Sequence, residues 1–423
     1  MVDPRAAAPV LLATYGSPGD LHPFIAIARE LEAQGQPAVI ASSAIYRDRV
    51  EGAGLAFAPM RPDRAPAMQE PDFLQRLRRG ERPAHLFREM FMPGLHESTL
   101  DLVTLAAGAR AVVSHTLVGG GRLAAEVHGL PWISAVMQPM GYLSAYEPPV
   151  IGLPGLASAL RAVGPRRARA AMNLAEAATA GWVSEWGTLR RTLGLPAVAD
   201  HPLFAGQHSP LRSLGLFPRT LGEPMPDWPA AARITGFPFL RDPRRSLPDE
   251  LEAFLEAGPP PVVFTLGTTA VNDPGDFYRV SAAAARDLGM RAVLLTGNAG
   301  ADAAGDDTLN VPYAPHDLLF PRSRAVVHQG GIGTLAEGMK AGAPMVIVPY
   351  AHDQADNAWR AQRLGIADIA PRGRSNARAL TRSLRRVLAS REGDAARIRV
   401  RRDVAGEDGA ARAARAILEV LQS

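Results

Sequence analysis

Residues 328–358 read "HQGGIGTLAEGMKAGAPMVIVPYAHDQADNA", and the fold turns on how they are understood. The apolar run "RAVVHQGG" (324–331) predicts a strand ending in glycines, Thr334 to Ala341 predicts a helix, and "PMVIVPY" (344–350) predicts the next strand. Strand, helix, strand in that order is the unit of a parallel sheet. The first N–H groups of a helix have no partner within it, and the helix dipole adds partial positive charge there, so this turn can face an anion. Gly330, Gly331 and Gly333 let a phosphate come close to the backbone, Thr334 adds a hydroxyl, and His328 adds a donor from the strand end. A plainer account is a tight strand–helix turn with Thr334 as its cap. "PYAHDQADNA" favours the ligand account, because it follows the next strand and therefore sits at the same carboxyl edge of the sheet. Glu337, one turn into the helix, can accept from two vicinal hydroxyls such as those of a ribose. Asp353 and Gln354 offer acceptors and donors to sugar hydroxyls, with Asn357 a turn later; the alternative makes Asp353 a helix cap and leaves Gln354 solvated. Phosphate donors at one loop and hydroxyl-binding groups at its neighbour suit a nucleotide sugar better than a simple nucleotide.

Such a turn usually comes early in a chain, and here it comes late because the architecture is duplicated. The first half alternates "PVLLATYG" (9–16), a helical period over 20–35, "PAVIASS" (37–43), a helix over 45–54, "RAVVSHT" (110–116), a helix over 121–129 and "PWISAVMQP" (131–139). Prolines and turn residues then crowd 218–250, a boundary by composition. Beyond it the alternation restarts with "PVVFTLGTT" (261–269) and "RAVLLTG" (291–297). The reading is α/β: an N-terminal Rossmann-like domain at 1–217, a linker at 218–240, and a second Rossmann-like domain at 241–405. A helix at 406–423 is free to cross back. Two stretches, roughly 60–100 and 138–182, are rich in Met, Phe, Leu and Pro; Met90, Met140 and Tyr142 fall in them and Met137 at the edge of the second. They are either helix faces packed on the sheet or the lining of an apolar acceptor cleft.

The bulk composition removes other classes. There are 423 residues, too many for one ordinary core, and no cysteine, hence no disulfide framework, thiol nucleophile or cysteine-bound metal. Lys340 is the only lysine, which excludes a Gly-Lys-Ser/Thr phosphate loop. A net charge of +4 without a concentrated basic tract argues against nucleic acid. "MVDPRAAAPVLLATYG" runs straight into a strand with no leader pattern, and the longest uncharged run, Gly129–Tyr146, contains Pro131 and Pro139. A cytoplasmic protein without an integral membrane segment is expected, peripheral contact with a membrane remaining open. No Asp-x-Asp and no cluster of metal-ligand spacing is present, so no metal and no cofactor is expected.

His328-x-Gly-Gly-x-Gly-Thr334, Glu337, Gly342-x-Pro344, Pro349 and Asp353-Gln354-x-x-Asn357-Ala358 together resemble the donor signature of the family 1 nucleotide-sugar glycosyltransferases. "YGSPGDLHPF" at the start, "TGFP" (235–238) and "TLGTT" (265–269) extend the likeness over nearly the whole chain, closest in look to bacterial members, those of rhamnolipid synthesis included. The resemblance implies the GT-B fold, two Rossmann-like domains facing across a cleft, and UDP- or dTDP-sugar as co-substrate. It implies that His328 and the amides around Gly331–Thr334 hold the diphosphate, Glu337 the ribose, and Asp353 and Gln354 the transferred sugar. Thr268 would touch phosphate or sugar, and Ser17 in the first turn is grouped with the donor side. Tyr313, followed by Ala314, stands where relatives stack a Trp on the base. His316 replaces their usual Gln, which leaves the choice of uracil or thymine open.

Many relatives use a His in Gly-His-x-x-Pro as the base. Here Gly19-Asp20-Leu21-His22-Pro23 puts Asp20 in that place. Asp20 is then the base, or alternatively the cap of the helix that follows. His115, where relatives keep an orienting Asp, either couples to Asp20 or is a core histidine. The implied reaction is metal-independent inverting transfer to a hydroxyl of a lipid, polyketide or phenolic acceptor. An epimerase of the same fold and a non-catalytic nucleotide-sugar-binding protein are the alternatives. A nicotinamide dehydrogenase is disfavoured, since the first turn reads "YGSPGD" and the second strand ends without an acid.

Overall fold

The computed structural model describes residues 7–63, 76, 81, 83–151, 155–267, 274–297, 305, 307–350, 353–370 and 377–423. Short apolar segments, most of them buried on both faces away from the sheet edges, form two wholly parallel sheets, as expected of strands covered by helices on either side. The first contains β1 (Val10–Ala13), β2 (Ala38–Ser42), β3 (Ala56–Pro59), β4 (Ala111–His115), β5 (Trp132–Val136), β6 (Ser213–Gly215) and β7 (Ala232–Ile234), in the order 3-2-1-4-5-6-7. The second contains β8 (Val262–Thr265), β9 (Ala292–Leu295), β10 (Thr308–Val311), β11 (Ala325–His328), β12 (Met345–Ile347) and β13 (Ala367–Ile369), in the order 10-9-8-11-12-13.

Each sheet reverses its winding at one place. In the first, β1 lies between β2 and β4, with Ala13 beside Ser114. In the second, β8 lies between β9 and β11, with Thr265 beside His328. Crevices open at such reversals, outside the carboxyl ends of the strands. The loops after β1, β4, β8 and β11 therefore share one region.

Three strands of the first sheet, β3, β6 and β7, were not legible in the sequence. They are three or four residues long and flanked by Gly or Pro, too short for any period to show. β7 falls inside the proline-rich stretch read as linker. The irregular stretches hold helices: Pro83–Ala106, Leu156–Val163 and Pro165–Thr179.

Six helices position the site: α1 (Pro18–Ala33), α2 (Pro83–Ala106), α3 (Gly120–His128), α4 (Ile332–Ala341), α5 (Gln354–Arg363) and α6 (Gly409–Gln422). Helix α1 buries Leu21, Phe24, Ile25, Ile27 and Leu31 against the first sheet. Helix α6 packs on α1 through Ala413, Ala414, Ile417 and Val420, so the end of the chain closes over the first domain. Arg110 Nη2 donates to Leu421 O at 3.2 Å, and Glu407 accepts the N–H of Arg219 at 2.9 Å, fixing this return. Among the described residues, no helix is long and apolar enough to cross a membrane.

Candidate active site

The first wall of the cleft is the turn from β1 into α1. Ser17 is the helix cap: its Oγ accepts from Gly19 N–H at 3.1 Å. Asp20 is the third helical residue and completes a capping box, its Oδ2 accepting from Ser17 N–H at 2.7 Å and Ser17 Oγ at 2.9 Å. The cap is therefore Ser17, and Asp20 contributes to it with one oxygen only. The other oxygen, Oδ1, stands 3.7 Å from His115 Nε2. Gly16 has φ +147°, and a Cβ there would lie 2.3 Å from Asp20 Oδ2, so only glycine lets the loop fold over the carboxylate.

His115 is buried at the end of β4, and its Nδ1 accepts the N–H of Leu117 at 2.9 Å. That bond places the ring proton on Nε2, facing Asp20. Burial lowers its pKa, against the pull of the Asp20 charge, so the ring is neutral. In this tautomer the Nε2–H of His115 faces Asp20 Oδ1 at 3.7 Å, and the ring has no free lone pair with which to take a proton itself.

The facing wall is the turn from β11 into α4. The helix begins at Ile332, two residues before the start read from sequence, and its cap is Gly331. Thr334 is therefore not a cap but the third helical residue. No side chain caps the helix, so the N–H groups of Ile332, Gly333 and Thr334 are left for a ligand. Helices α1 and α4 meet here almost end to end: Gly19 Cα is 3.9 Å from where a Cβ on Gly333 would sit. Two positive dipole ends converge on one point.

His328 lies one layer beneath this surface. Its Nδ1 accepts from Gly330 N–H at 3.1 Å, and its Nε2 is buried without a protein partner. Burial pushes its pKa down to about 3, with His316 adding to the effect. Gly330 is also beneath the surface, held at φ +96° against Ile347 and Gln354, and Ala314 is fully buried. Gly331, Gly333 and Thr334 line the cleft, with Tyr313, Glu337, Asp353 and Gln354. Tyr313 is 58% exposed, a flat surface open to a base. Asp353 Oδ2 accepts from Asn357 Nδ2 at 2.7 Å, and Gln354 Oε1 accepts from Tyr350 N–H at 2.7 Å. Burial pushes Asp353 up to about 7, opposed by the Asn357 bond and reinforced by the charge of Asp20 across the cleft. Glu337 is likewise pushed up to about 7 by burial, Lys340 opposing.

The cleft encloses about 770 Å³ and is more apolar than polar. Its apolar part is walled by Met140, Leu117, Ile151, Val183, Trp186 and Leu203. Met137 and Tyr142, expected with Met140 on the acceptor wall, lie in the first-domain core instead. Tyr142 stacks on Trp228 with 4.3 Å between ring centres, and its hydroxyl donates to Ser213 O at 3.3 Å, so the ring has no free face for a ligand. Thr268 and the side chain of Met90 fall outside the described residues. Sequence reading passed over Trp186, Leu203 and Gln329. The first two come from segments without a repeating period. Gln329 was visible in the motif but read as a spacer, although it borders the cleft with a buried Oε1 that has no partner. Among the described residues no group of three or more His, Asp or Glu could hold a metal ion.

Two parallel-sheet domains, with an open helix N-terminus facing a carboxylate across a cleft, define a GT-B nucleotide-sugar transferase architecture. Comparison with known proteins agrees. Residues 220–392 match the family described as UDP-glucoronosyl and UDP-glucosyl transferase, and residues 10–140 match the glycosyltransferase family 28 N-terminal domain. The O-mycaminosyltylonolide 6-deoxyallosyltransferase of Streptomyces fradiae is 33% identical over 393 residues, covering 89% of each chain. The crystal structure of the kitacinnamycin glycotransferase superposes with a TM-score of 0.75 at 20% identity, covering 98% of this chain and 99% of that one. The spinosyn rhamnosyltransferase SpnG complexed with thymidine diphosphate gives 0.65 at 20% identity, covering 98% and 100%. The chain belongs to the family 1 glycosyltransferases and is a glycosyltransferase enzyme.

Proposed function

We propose that the protein transfers a sugar from a UDP- or dTDP-sugar to a hydroxyl of a hydrophobic natural product, with inversion at the anomeric carbon. The observation that carries this reading is the convergence of α1 and α4: the open N–H groups of Ile332–Thr334 and the free oxygen of Asp20 face one space. The diphosphate sits on those N–H groups, where dipole and donors stabilise the charge that develops as it departs. The ribose lies at Glu337, the base on Tyr313, and the sugar at Asp353 and Gln354. His328 supports the loop from below through Gly330.

Asp20 Oδ1 takes the acceptor proton. A carboxylate is a weak base for an alcohol, and the cleft compensates by holding the hydroxyl against both the base and the anomeric carbon. The Nε2–H of His115 faces the same oxygen from 3.7 Å and favours its charged form. Base and leaving group stand on opposite walls, so attack comes from the face away from the diphosphate. No metal is assigned a part. The apolar wall of Met140, Leu117, Val183, Trp186 and Leu203 suits a lipid, polyketide or phenolic alcohol. The division into an acceptor domain at 1–217, which β7 extends to Ile234 within the stretch 218–240 read as linker, a donor domain at 241–405 and a returning helix at 406–423 belongs to the same reading.

The test is a matrix of UDP- and dTDP-sugars against hydrophobic alcohols without added metal, read by mass spectrometry. Glycosylated acceptor is the expected product. Isomerised donor sugar in the absence of acceptor would replace this reading with an epimerase, and nucleotide binding without any turnover would replace it with a sensor.

A further inference from the structure

The sugar-binding positions Asp353 and Gln354 stand at the start of α5, and that helix is not held by its own domain alone. Asp356, Arg360 and Arg363 recur along it at helical spacing, and their side chains meet first-domain residues 147–150. Glu147 is only 6% exposed, yet both of its oxygens are used: Oε2 accepts from Arg360 Nη1 and Oε1 from Arg363 Nη1. Arg360, itself buried, donates from Nε to Asp356 Oδ2 at 2.6 Å and from Nη1 to Leu221 O at 3.3 Å. Asp356 Oδ1 in turn accepts the N–H of Val150 at 3.0 Å. Arg161 lies 3.6 Å over the Trp359 ring and donates to Pro148 O at 2.7 Å, pinning the same segment from outside.

This segment is itself rigidly mounted. Asp227 accepts from Ser144 Oγ at 2.6 Å and from Ala145 N–H at 2.7 Å. Its neighbours along the chain, Met140 and Ile151, both line the cleft. One strap therefore carries the acceptor wall and grips the helix that presents the donor-sugar groups. The two carboxylates are met directly by two guanidiniums, and the charge of Arg161 lies close by. A buried network of this kind contributes little net stability, but it fixes one arrangement, because removing a single member leaves a charge without its partner.

We infer that Glu147 is a positioning residue for transfer: through Arg360 and Arg363 it sets the height of α5, and with it the placement of the sugar against the acceptor hydroxyl. This rests on the reading that Asp353 and Gln354 bind the sugar. The diphosphate is held by α4, outside the strap, so its binding is independent of Glu147.

That separation supplies the test. Glu147→Gln keeps the shape and removes the charge. The expected result is a fall in the kcat of transfer of ~10–100-fold, the scale of a misplacement of about 1 Å. The Kd for UDP or dTDP stays within about threefold, and donor hydrolysis rises relative to transfer. In a double-mutant cycle with Arg360→Gln the two losses do not add, because both variants break one network. If Glu147→Gln fails to fold, Arg363→Gln removes the outer arm, whose side chain is 49% exposed, and shows the same split with a loss of about two- to fivefold. An unchanged kcat in the folded variant overturns the inference. So does a loss of UDP or dTDP affinity in parallel with kcat, the mark of a merely structural role. A wild-type protein that binds nucleotide yet glycosylates no acceptor overturns the proposed function, and this inference with it.

Discussion

At Asp20 the two carboxylate oxygens have different duties, one closing the capping box with Ser17 and one facing His115 and the cleft. Asp20→Asn retains an oxygen for the cap, so the helix persists while the base is lost. Transfer should fall by ~10²–10⁴, with the Kd for UDP or dTDP within twofold of wild type in isothermal titration. Undiminished transfer would remove Asp20 from the mechanism. The second prediction concerns Asp353 and Glu337, both pushed up to about 7 by burial. Sugar and ribose hydroxyls that donate to them are held more tightly by the ionised form. Donor binding then releases protons, and affinity for the intact nucleotide sugar rises as the pH goes from about 6 to about 8. Titration in buffers of different ionisation enthalpy measures the release, and an affinity independent of pH contradicts the assignment. For the unliganded protein the sign is opposite. The folded state holds these protons above the ordinary carboxylate values of 3.8 and 4.5, so the stabilising contribution is complete below those values and is lost as pH rises through about 7. Asp353→Asn should flatten that slope in thermal melts.

At the scale of single elements, the turn into α4 separates two kinds of glycine. Gly330 has φ +96°, and a Cβ there would lie 2.8 Å from Ile347 Cγ2 and 3.0 Å from Gln354 O. Gly330→Ala should lower stability by ~1–3 kcal/mol. Gly333 has no contact under 3.8 Å and lies in a helix, where alanine is the better residue. Gly333→Ala should therefore leave the melting temperature unchanged or raise it, while weakening UDP or dTDP binding at least tenfold, because the methyl occupies the approach of the phosphate. Equal effects of the two substitutions on stability and binding would contradict this division. The same turn shows how much of the site was legible. Its glycines, Asp353 and Gln354 follow strand ends and Glu337 lies one turn into the helix that starts there, so sequence order alone places them near one sheet edge. Which of them reach the surface was not legible. The burial of His328 and Gly330 depends on how β12 and α5 pack behind them, and Tyr142 went to the core because Trp228, far along the chain, stacks on it. The acceptor wall was the least readable part, since Trp186 and Leu203 lie on a short helix and a turn without a period.

For the whole molecule, the two sheets and their winding followed from the alternation of apolar runs and helical periods. The short strands β3, β6, β7 and β13 escaped, their identity set by neighbours already in place rather than by their own residues. The end of the chain joins the halves as well: α6 lies on α1, the helix that also presents Asp20. Ile417 is fully buried in that seam. Ile417→Asp should cost about 3 kcal/mol or more by placing an unpaired charge there, read as a lower midpoint in urea. A midpoint equal to wild type would show that the seam is not part of the folded unit. The central claim, that α4 receives the diphosphate while α5 presents groups to the sugar, is tested most directly by a crystal structure with UDP or dTDP bound. The account predicts the β-phosphate within hydrogen-bond distance of the N–H groups of Ile332, Gly333 and Thr334, the ribose at Glu337, and the free end of the diphosphate directed toward Asp353 and Gln354. A nucleotide bound elsewhere in the cleft, or no nucleotide at that turn at saturating concentration, would contradict it.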